Sequence, residues 1–240
     1  MQKDVLFIHG WWAGSWVWSE VVERFEAAGF RTHALTLPGP ESDRSTFSDN
    51  LDYATGVARS IGDPILVGHS AGGLMAMKMS ETARPPACIA ITPAAPAGML
   101  PRASAGLVRF LVAALPSIVF GRDFFPRALL RKIALNSLDN AKQDGVLGKM
   151  RPVSASQVRM LVPSLISVNR QRMLSPLLIV GASEDRLTPV TQTRAIARRY
   201  GAEYREYPNA AHYILLDAVC PDLASDLIAW LNQKTLVGKA

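Results

Sequence analysis

A serine lies at the end of a short apolar run in the stretch ILVGHSAGG, residues 65–73, with glycines two residues before and two residues after it. The aliphatic and β-branched residues before Gly68 favour a buried strand, and the Met- and Ala-rich residues from Leu74 favour a helix. Ser70 would then occupy a sharp strand-to-helix turn that lifts its hydroxyl clear of the sheet, as a nucleophile requires. A tight turn without chemistry would use the same small residues.

A serine nucleophile needs a base, and the sequence has four histidines. His9 and His33 precede Ser70, and His69 adjoins it in a turn that directs its side chain elsewhere. His212 is the one downstream, in the loop PNAAHY after the last predicted strand. We therefore predict His212 as the base, with an exposed loop histidine as the alternative. Because this base must be neutral, activity should fall as the pH drops below about 7.

The acid that orients the base should follow another strand. Asp185 comes directly after the apolar run of LLIVGASED, and Pro189 opens a helix four residues later. We predict Asp185 as this acid, and the adjacent Glu184 remains a competitor. Three further acids lie in a different segment and suit a rigid catalytic group less well: Asp123, Asp139 and Asp144.

An oxyanion formed at Ser70 needs hydrogen-bond donors. The first predicted strand ends in FIHGWWAG, residues 7–14, where Gly10 lets the backbone present an N–H group. We predict that the N–H groups of Trp11 and Ala71 form the oxyanion hole, each stabilising the transition state by roughly 3–4 kcal/mol.

The elements that must position these groups alternate between strand and helix. Strands are predicted at 4–10, 31–39, 65–67, 87–94, 175–185 and 202–210, with amphipathic helices between them. This alternation predicts an α/β fold, a mostly parallel sheet with helices on both faces and functional groups beyond the carboxyl ends of its strands. Residues 95–172 break the alternation and read as helices at 103–120, 123–143 and 155–169. They predict a helical lid inserted into a core of residues 1–94 and 173–240.

The order Ser70, Asp185, His212, preceded by the HG loop, resembles the α/β-hydrolase superfamily over residues 4–94 and 175–233. The resemblance implies acyl transfer through an acyl-enzyme, without cofactor, on a sheet shortened at its start. The stretch HGWWAGSWVW is similar to the opening of small esterases and hydroxynitrile lyases of this fold. A lyase of this fold, a hydrolase that cleaves carbon–carbon bonds with the same three residues, and a small-molecule receptor built on the hydrolase scaffold remain as alternatives.

The lid stretch LVRFLVAALPSIVF is apolar over most of a helical circumference, as expected of a helix buried against the core and the acyl site. It favours an ester or thioester with a hydrophobic acyl or aryl part. The residues expected to border the substrate pocket are Gly10, Trp12, His69, Met99 and Leu100.

Charge is unevenly distributed along the chain. Residues 101–172 hold 12 Lys and Arg against three Asp, and the rest of the chain has a net charge of −3. A basic lid suggests a substrate linked to an acidic carrier, an acyl carrier protein or coenzyme A. A merely solvated helical face is the alternative. Aromatic residues do not alternate with these Lys and Arg residues, and the segment has no nucleic-acid recognition motif. Both observations argue against nucleic-acid binding.

The length and composition of the chain further limit the class of protein to which it can belong. The 240 residues suit one domain with a subdomain, and no apolar run reaches the roughly 18 residues of a membrane span. The start of the sequence lacks the apolar region of a signal peptide, and Cys88 and Cys220 are far apart, so we expect reduced thiols and a cytoplasmic location. The histidines lack metal-ligand spacing, and no metal site is expected.

Overall fold

A computed structural model describes residues 2–39, 46–99, 105–162 and 164–237. Its six strands are β1 (Asp4–Ile8), β2 (Arg31–Leu35), β3 (Ile65–His69), β4 (Cys88–Ile91), β5 (Leu177–Ala182) and β6 (Glu203–Tyr207). They form one parallel sheet in the order β2-β1-β3-β4-β5-β6. The predicted α/β fold with a mostly parallel sheet is confirmed.

Helices cover both faces of this sheet. The helices outside the lid are α1 (Ser19–Ala27), α2 (Phe47–Ile61), α3 (Ala71–Ala83), α8 (Val190–Tyr200) and α9 (Cys220–Val237). Helices α1 and α9 pack with one face in a cluster that includes Phe7, Phe25 and Leu227. Helices α2, α3 and α8 pack with the other face around Leu66 and Leu74. Because both faces are covered, the central strands are continuous apolar runs.

Several strands end earlier than the sequence predicts. The run 4–10 leaves the sheet after Ile8, 31–39 after Leu35, and 175–185 after Ala182. The residues that follow these strands form loops at the carboxyl edge of the sheet. These loops contain residues 9–12 and Asp185. The residues that were predicted as strand but lie in loops are therefore at the candidate site.

Four helices lie between β4 and β5 and form an insertion consistent with a lid: α4 (Ala105–Phe120), α5 (Arg127–Ile133), α6 (Asn140–Lys149) and α7 (Ala155–Leu161). The helix predicted at 123–143 is divided in two, because Asp139 accepts a hydrogen bond from the Lys142 N–H and starts α6 anew. The helix predicted at 155–169 ends at Leu161.

Helix α4 is buried on one side only. Phe110 and Ala114 pack in the core, whereas Val112 and Phe120 are 61% and 72% exposed. Its apolar residues are therefore divided between a side that packs against the core, as expected, and an outer side that the rest of the chain does not cover.

Within the ranges that the structure describes, no helix combines the length and apolar character needed to cross a bilayer. Cys88 and Cys220 are both buried and neither forms a disulfide.

Candidate active site

Ser70 occupies a strained turn between β3 and α3, with φ 55° and ψ −120°. A Cβ atom at Gly68 would lie 2.1 Å from the Gly72 carbonyl oxygen, and one at Gly72 would lie 2.2 Å from the Ile8 carbonyl oxygen. Both distances are far below van der Waals contact, so the two glycines let the start of α3 press against β3 and β1. This packing holds Ser70 in a conformation that a side-chain-bearing residue rarely adopts.

Three buried side chains form a continuous hydrogen-bonded chain from Ser70. Ser70 Oγ is 2.9 Å from His212 Nε2, and His212 Nδ1 is 2.8 Å from Asp185 Oδ2. Their exposed fractions are 8%, 1% and 4% for Ser70, His212 and Asp185. With the proton on Nδ1 donated to the carboxylate, Nε2 can accept the serine proton. This is the geometry of a nucleophile, a general base and an orienting acid.

The Asp185 carboxylate is held by its own loop. Its Oδ1 accepts hydrogen bonds from the backbone N–H groups of Leu187 and Thr188, both at 2.8 Å, and its Oδ2 accepts one from the Thr188 hydroxyl at 2.6 Å. These three hydrogen bonds and the one from His212 compensate for the burial of the charge. Glu184, the competing acid, is exposed. The structure thus brings Asp185 to His212.

His69 lies next to His212. It is fully buried, and its Nε2–H donates to the His212 carbonyl oxygen at 2.8 Å, which fixes the loop that carries the base. Burial, with a smaller effect of nearby His212, lowers the pKa of His69 from 6.5 to about 3. The centre of its ring lies 5.0 Å from that of His212 and 5.1 Å from that of Tyr213, and His69 is absent from the lining of the two cavities described below.

The loop after β1 lies directly against the nucleophile. A Cβ atom at Gly10 would lie 2.7 Å from Ser70 Cβ and 3.0 Å from the His69 carbonyl oxygen. Ala71 is the first residue of α3, so its N–H has no intrahelical acceptor. Among the hydrogen bonds of the described residues, the Trp11 N–H has no partner either. Both N–H groups are thus available beside Ser70.

This loop is anchored from the core and from the lid. The buried Tyr213 hydroxyl donates to the Trp11 carbonyl oxygen at 2.7 Å, and burial raises the pKa of Tyr213, which keeps it a neutral donor. From the lid, Gln157 accepts from Trp11 Nε1 at 3.0 Å, and the Phe124 carbonyl oxygen accepts from Trp12 Nε1 at 2.8 Å. The sequence pattern singles out neither Tyr213 nor Gln157, because they are remote in the chain.

Two cavities adjoin the site. The smaller, about 80 Å³, touches Ser70 and is lined mainly by apolar residues that include Phe110, Leu161 and Leu187. The larger, about 490 Å³, lies along the loop after β1 and touches the polar residues Thr36, Asn50 and Gln157. The lining residues that they share are Trp11, Trp12 and Ala71.

The other predicted pocket residues have different positions. Gly10 lines the larger cavity. Met99 packs against the core cluster of α2 and α3, and it is absent from the lining of both cavities. Leu100 lies outside the described residues. Over the described ranges, no group of three or more His, Cys, Asp or Glu residues is placed to hold a metal ion.

His9 and His69 make the stability of the fold sensitive to acid. Burial lowers the pKa of His9 from 6.5 to about 4, against a smaller opposing effect of its hydrogen bond to the Gly10 carbonyl oxygen. The unfolded chain therefore binds more protons than the native state below pH 6.5, so stability falls with the pH. From pH 7 to pH 5 each of the two histidines should lower the free energy of unfolding by about 2 kcal/mol. Urea unfolding at the two pH values measures this loss, and a His69→Gln variant should lose less than the parent. An equal loss in that variant would contradict the assignment.

The chain is similar to known proteins in sequence and in structure. A family model described as "Alpha/beta hydrolase family" matches residues 5–224. The pimeloyl-[acyl-carrier protein] methyl ester esterase of Nitrosomonas europaea is 37% identical over 79 residues, which are 32% of this chain and 31% of that protein. The chain thus matches about a third of the length of that curated relative.

Solved structures resemble the whole chain. Polyneuridine aldehyde esterase has a TM-score of 0.73 at 18% identity, covering 97% of this chain and 100% of that chain. Tomato methylketone synthase I complexed with 2-tridecanone has a TM-score of 0.75 at 16% identity, covering 98% and 99%. At these identities the likeness concerns the fold.

Proposed function

Because the chain belongs to the alpha/beta hydrolase family, we propose that it is a serine hydrolase that cleaves a carboxylic ester or thioester through an acyl-enzyme on Ser70. The observation that carries this proposal is the hydrogen-bonded chain from Ser70 through His212 to Asp185, beside the N–H groups of Trp11 and Ala71. Those groups supply the nucleophile, the base, the orienting acid and two oxyanion donors that acyl transfer requires.

The first half-reaction forms the acyl-enzyme. His212 Nε2 takes the proton of Ser70 as Oγ attacks the carbonyl carbon, and the carbonyl oxygen becomes an oxyanion that accepts from the two N–H groups. Asp185 stabilises the resulting imidazolium and stays ionised. The intermediate collapses, the bond to the leaving alcohol or thiol breaks, and His212 returns its proton to that leaving group.

The second half-reaction releases the acid. His212 takes a proton from a water molecule as the water oxygen attacks the ester carbonyl of the acyl-enzyme. Collapse of the second tetrahedral intermediate breaks the bond to Oγ, and His212 protonates the departing Ser70. The product is a carboxylic acid, and the enzyme returns to its starting state.

The smaller cavity suits a short hydrophobic acyl group. In a series of p-nitrophenyl esters from acetate to decanoate, kcat/KM should rise about fourfold per methylene until the cavity is filled, as burial of each methylene is worth about 0.8 kcal/mol. We expect an optimum near butanoate and a decline beyond it. The Ser70→Ala variant supplies the background rate. A chain-length series without an optimum would contradict the assignment of this cavity to the acyl group.

A carrier-linked substrate is a second candidate. The exposed cations of the lid favour it, and the matched relative is named as an esterase of an acyl-carrier-protein methyl ester. If an acidic carrier is steered by the lid, raising the salt from about 25 to about 300 mM should lower kcat/KM for a carrier-linked substrate tenfold or more. The value for a neutral ester should change little. Equal salt dependence of the two substrates would rule out steering.

A further inference from the structure

The larger cavity has an unusual polar residue in its wall. Helix α2 turns Phe47, Asn50, Ala54 and Ala58 toward the interior, and Asn50 is the polar member of this apolar stripe. Asn50 is 2% exposed, it lines the cavity, and its Oδ1 has no hydrogen-bond partner among the described residues. Buried side-chain oxygens are nearly always hydrogen-bonded, so this acceptor points to a donor that arrives with a ligand.

Two of the described residues that line the same cavity are cations. Lys149 and Arg151 belong to the lid, line the cavity and are exposed. Lys149 Nζ lies 5.6 Å from the centre of the Trp16 ring, which also lines it. None of the lining residues in the described ranges is acidic. The cavity therefore combines an acceptor in its buried wall with two cations on its exposed side.

His9 adds no charge to this wall. Its Nδ1–H donates to the Gly10 carbonyl oxygen at 2.8 Å, and its Nε2 accepts from the Leu37 N–H at 3.0 Å. With one nitrogen donating and the other accepting, the ring is neutral. The apolar part of the wall comes from Trp11, Phe47 and Met75.

We propose that the larger cavity is a subsite for the half of the substrate remote from the short acyl group, and that it selects a chain carrying an N–H or O–H donor and ending in an anion. Asn50 Oδ1 accepts from the donor, and Lys149 and Arg151 bind the carboxylate or phosphate at the exposed side. The aromatic side chains pack against the carbon atoms between them. This inference rests on the proposed function, because the cavity meets the acyl site at Trp11, Trp12 and Ala71.

Binding can be measured without turnover in the Ser70→Ala variant. Three of the five tryptophans line the cavity, so their fluorescence should change as a ligand enters. The probe is N-hexanoylglycine, which has an amide N–H and a carboxylate. Two analogues each lack one feature: N-hexanoylsarcosine has no N–H donor, and N-hexanoylglycine methyl ester has no charge. We expect the probe to bind at least ten times more tightly than either analogue.

Two substitutions assign the preference to residues. Asn50→Leu should remove the preference for glycine over sarcosine and keep the preference for the carboxylate over the methyl ester. Lys149→Met should reduce the preference for the carboxylate and keep the preference for the N–H group. Lys142→Met is the matched control, since Lys142 is an exposed lysine of the same helix that does not line the cavity. Lys142→Met should keep both preferences.

The outcomes separate this inference from the proposed function. Equal binding of the three probes, or a donor preference that survives Asn50→Leu, would overturn the subsite while leaving Ser70 as the proposed nucleophile. Failure of Ser70 to react would overturn the proposed function and leave the binding result intact. Comparison of N-hexanoylglycine with O-phospho-N-hexanoylethanolamine shows whether carboxylate or phosphate is the preferred anion.

Discussion

Replacing Asp185 with asparagine is expected to lower kcat about ten-thousand-fold while the fold is retained. An asparagine amide group facing His212 Nδ1 would donate a hydrogen bond where the carboxylate accepts one. The ring would then carry its proton on Nε2, which faces Ser70 Oγ at 2.9 Å, and could not take the serine proton. The lost negative charge also leaves the imidazolium unstabilised.

Glu184→Gln is the matched control, because it removes an adjacent acid that is exposed. Its kcat on the same p-nitrophenyl ester should stay within about twofold of the parent value. Far-ultraviolet circular dichroism and urea unfolding show whether Asp185→Asn remains folded. Comparable losses in both variants, or a loss confined to Glu184→Gln, would contradict the assignment of Asp185 as the orienting acid.

Replacing Gly10 with alanine is expected to lower kcat a hundredfold or more. The added methyl group would lie 2.7 Å from Ser70 Cβ, so the loop after β1 must move away from the nucleophile. The N–H of Trp11 moves with that loop, and loss of one oxyanion donor costs about a hundred- to a thousandfold in kcat. The reacting serine is displaced as well, which adds to the loss.

Gly56→Ala is the control for this substitution. Gly56 lies within α2, and a Cβ atom there would have no atom within 4 Å. It should leave kcat unchanged and stabilise the helix slightly, because alanine favours helix over glycine. If Gly10→Ala retained the parent kcat, the loop after β1 would not be part of the oxyanion hole.

The fold was largely predictable because its central strands, β1, β3, β4 and β5, are buried on both faces. Such strands are short apolar runs, and the helices between them have clear amphipathic periodicity. The alternation of strands and helices can therefore be recognised from the sequence alone. The strand ends were less predictable. His9 and Gly10 continue the run of β1 in sequence, yet both lie outside the strand, and Gly10 lies against Ser70.

The candidate site was predictable where a local turn determines it. The spacing of Gly68, Ser70 and Gly72 predicts a tight turn from the sequence alone. The short distances from the Cβ positions of the two glycines to backbone atoms explain why both must be glycine. The choice between Asp185 and Glu184 needed the structure, because adjacent residues of a loop point in different directions. Thr188 could have been found in the sequence as a hydroxyl three residues after the acid, a spacing that is typical of side-chain-to-backbone turns.

Contacts between distant parts of the chain could not be predicted. Tyr213 and Gln157 fix Trp11 across separations of 202 and 146 residues. Asn50 reads in sequence as one polar residue in a helix, and its importance comes from the cavity beside it. The outer side of α4 is another case, since periodicity shows that a helix is apolar all round without showing which side the core covers.

Covalent labelling determines whether Ser70 is an activated nucleophile. The folded protein is treated with a fluorophosphonate, digested and mapped by mass spectrometry, with Ser70→Ala treated in parallel. We expect a single adduct on Ser70, formed in step with the loss of esterase activity, and none in the variant. Labelling of a different residue, or no labelling of a folded protein that hydrolyses esters, would contradict it.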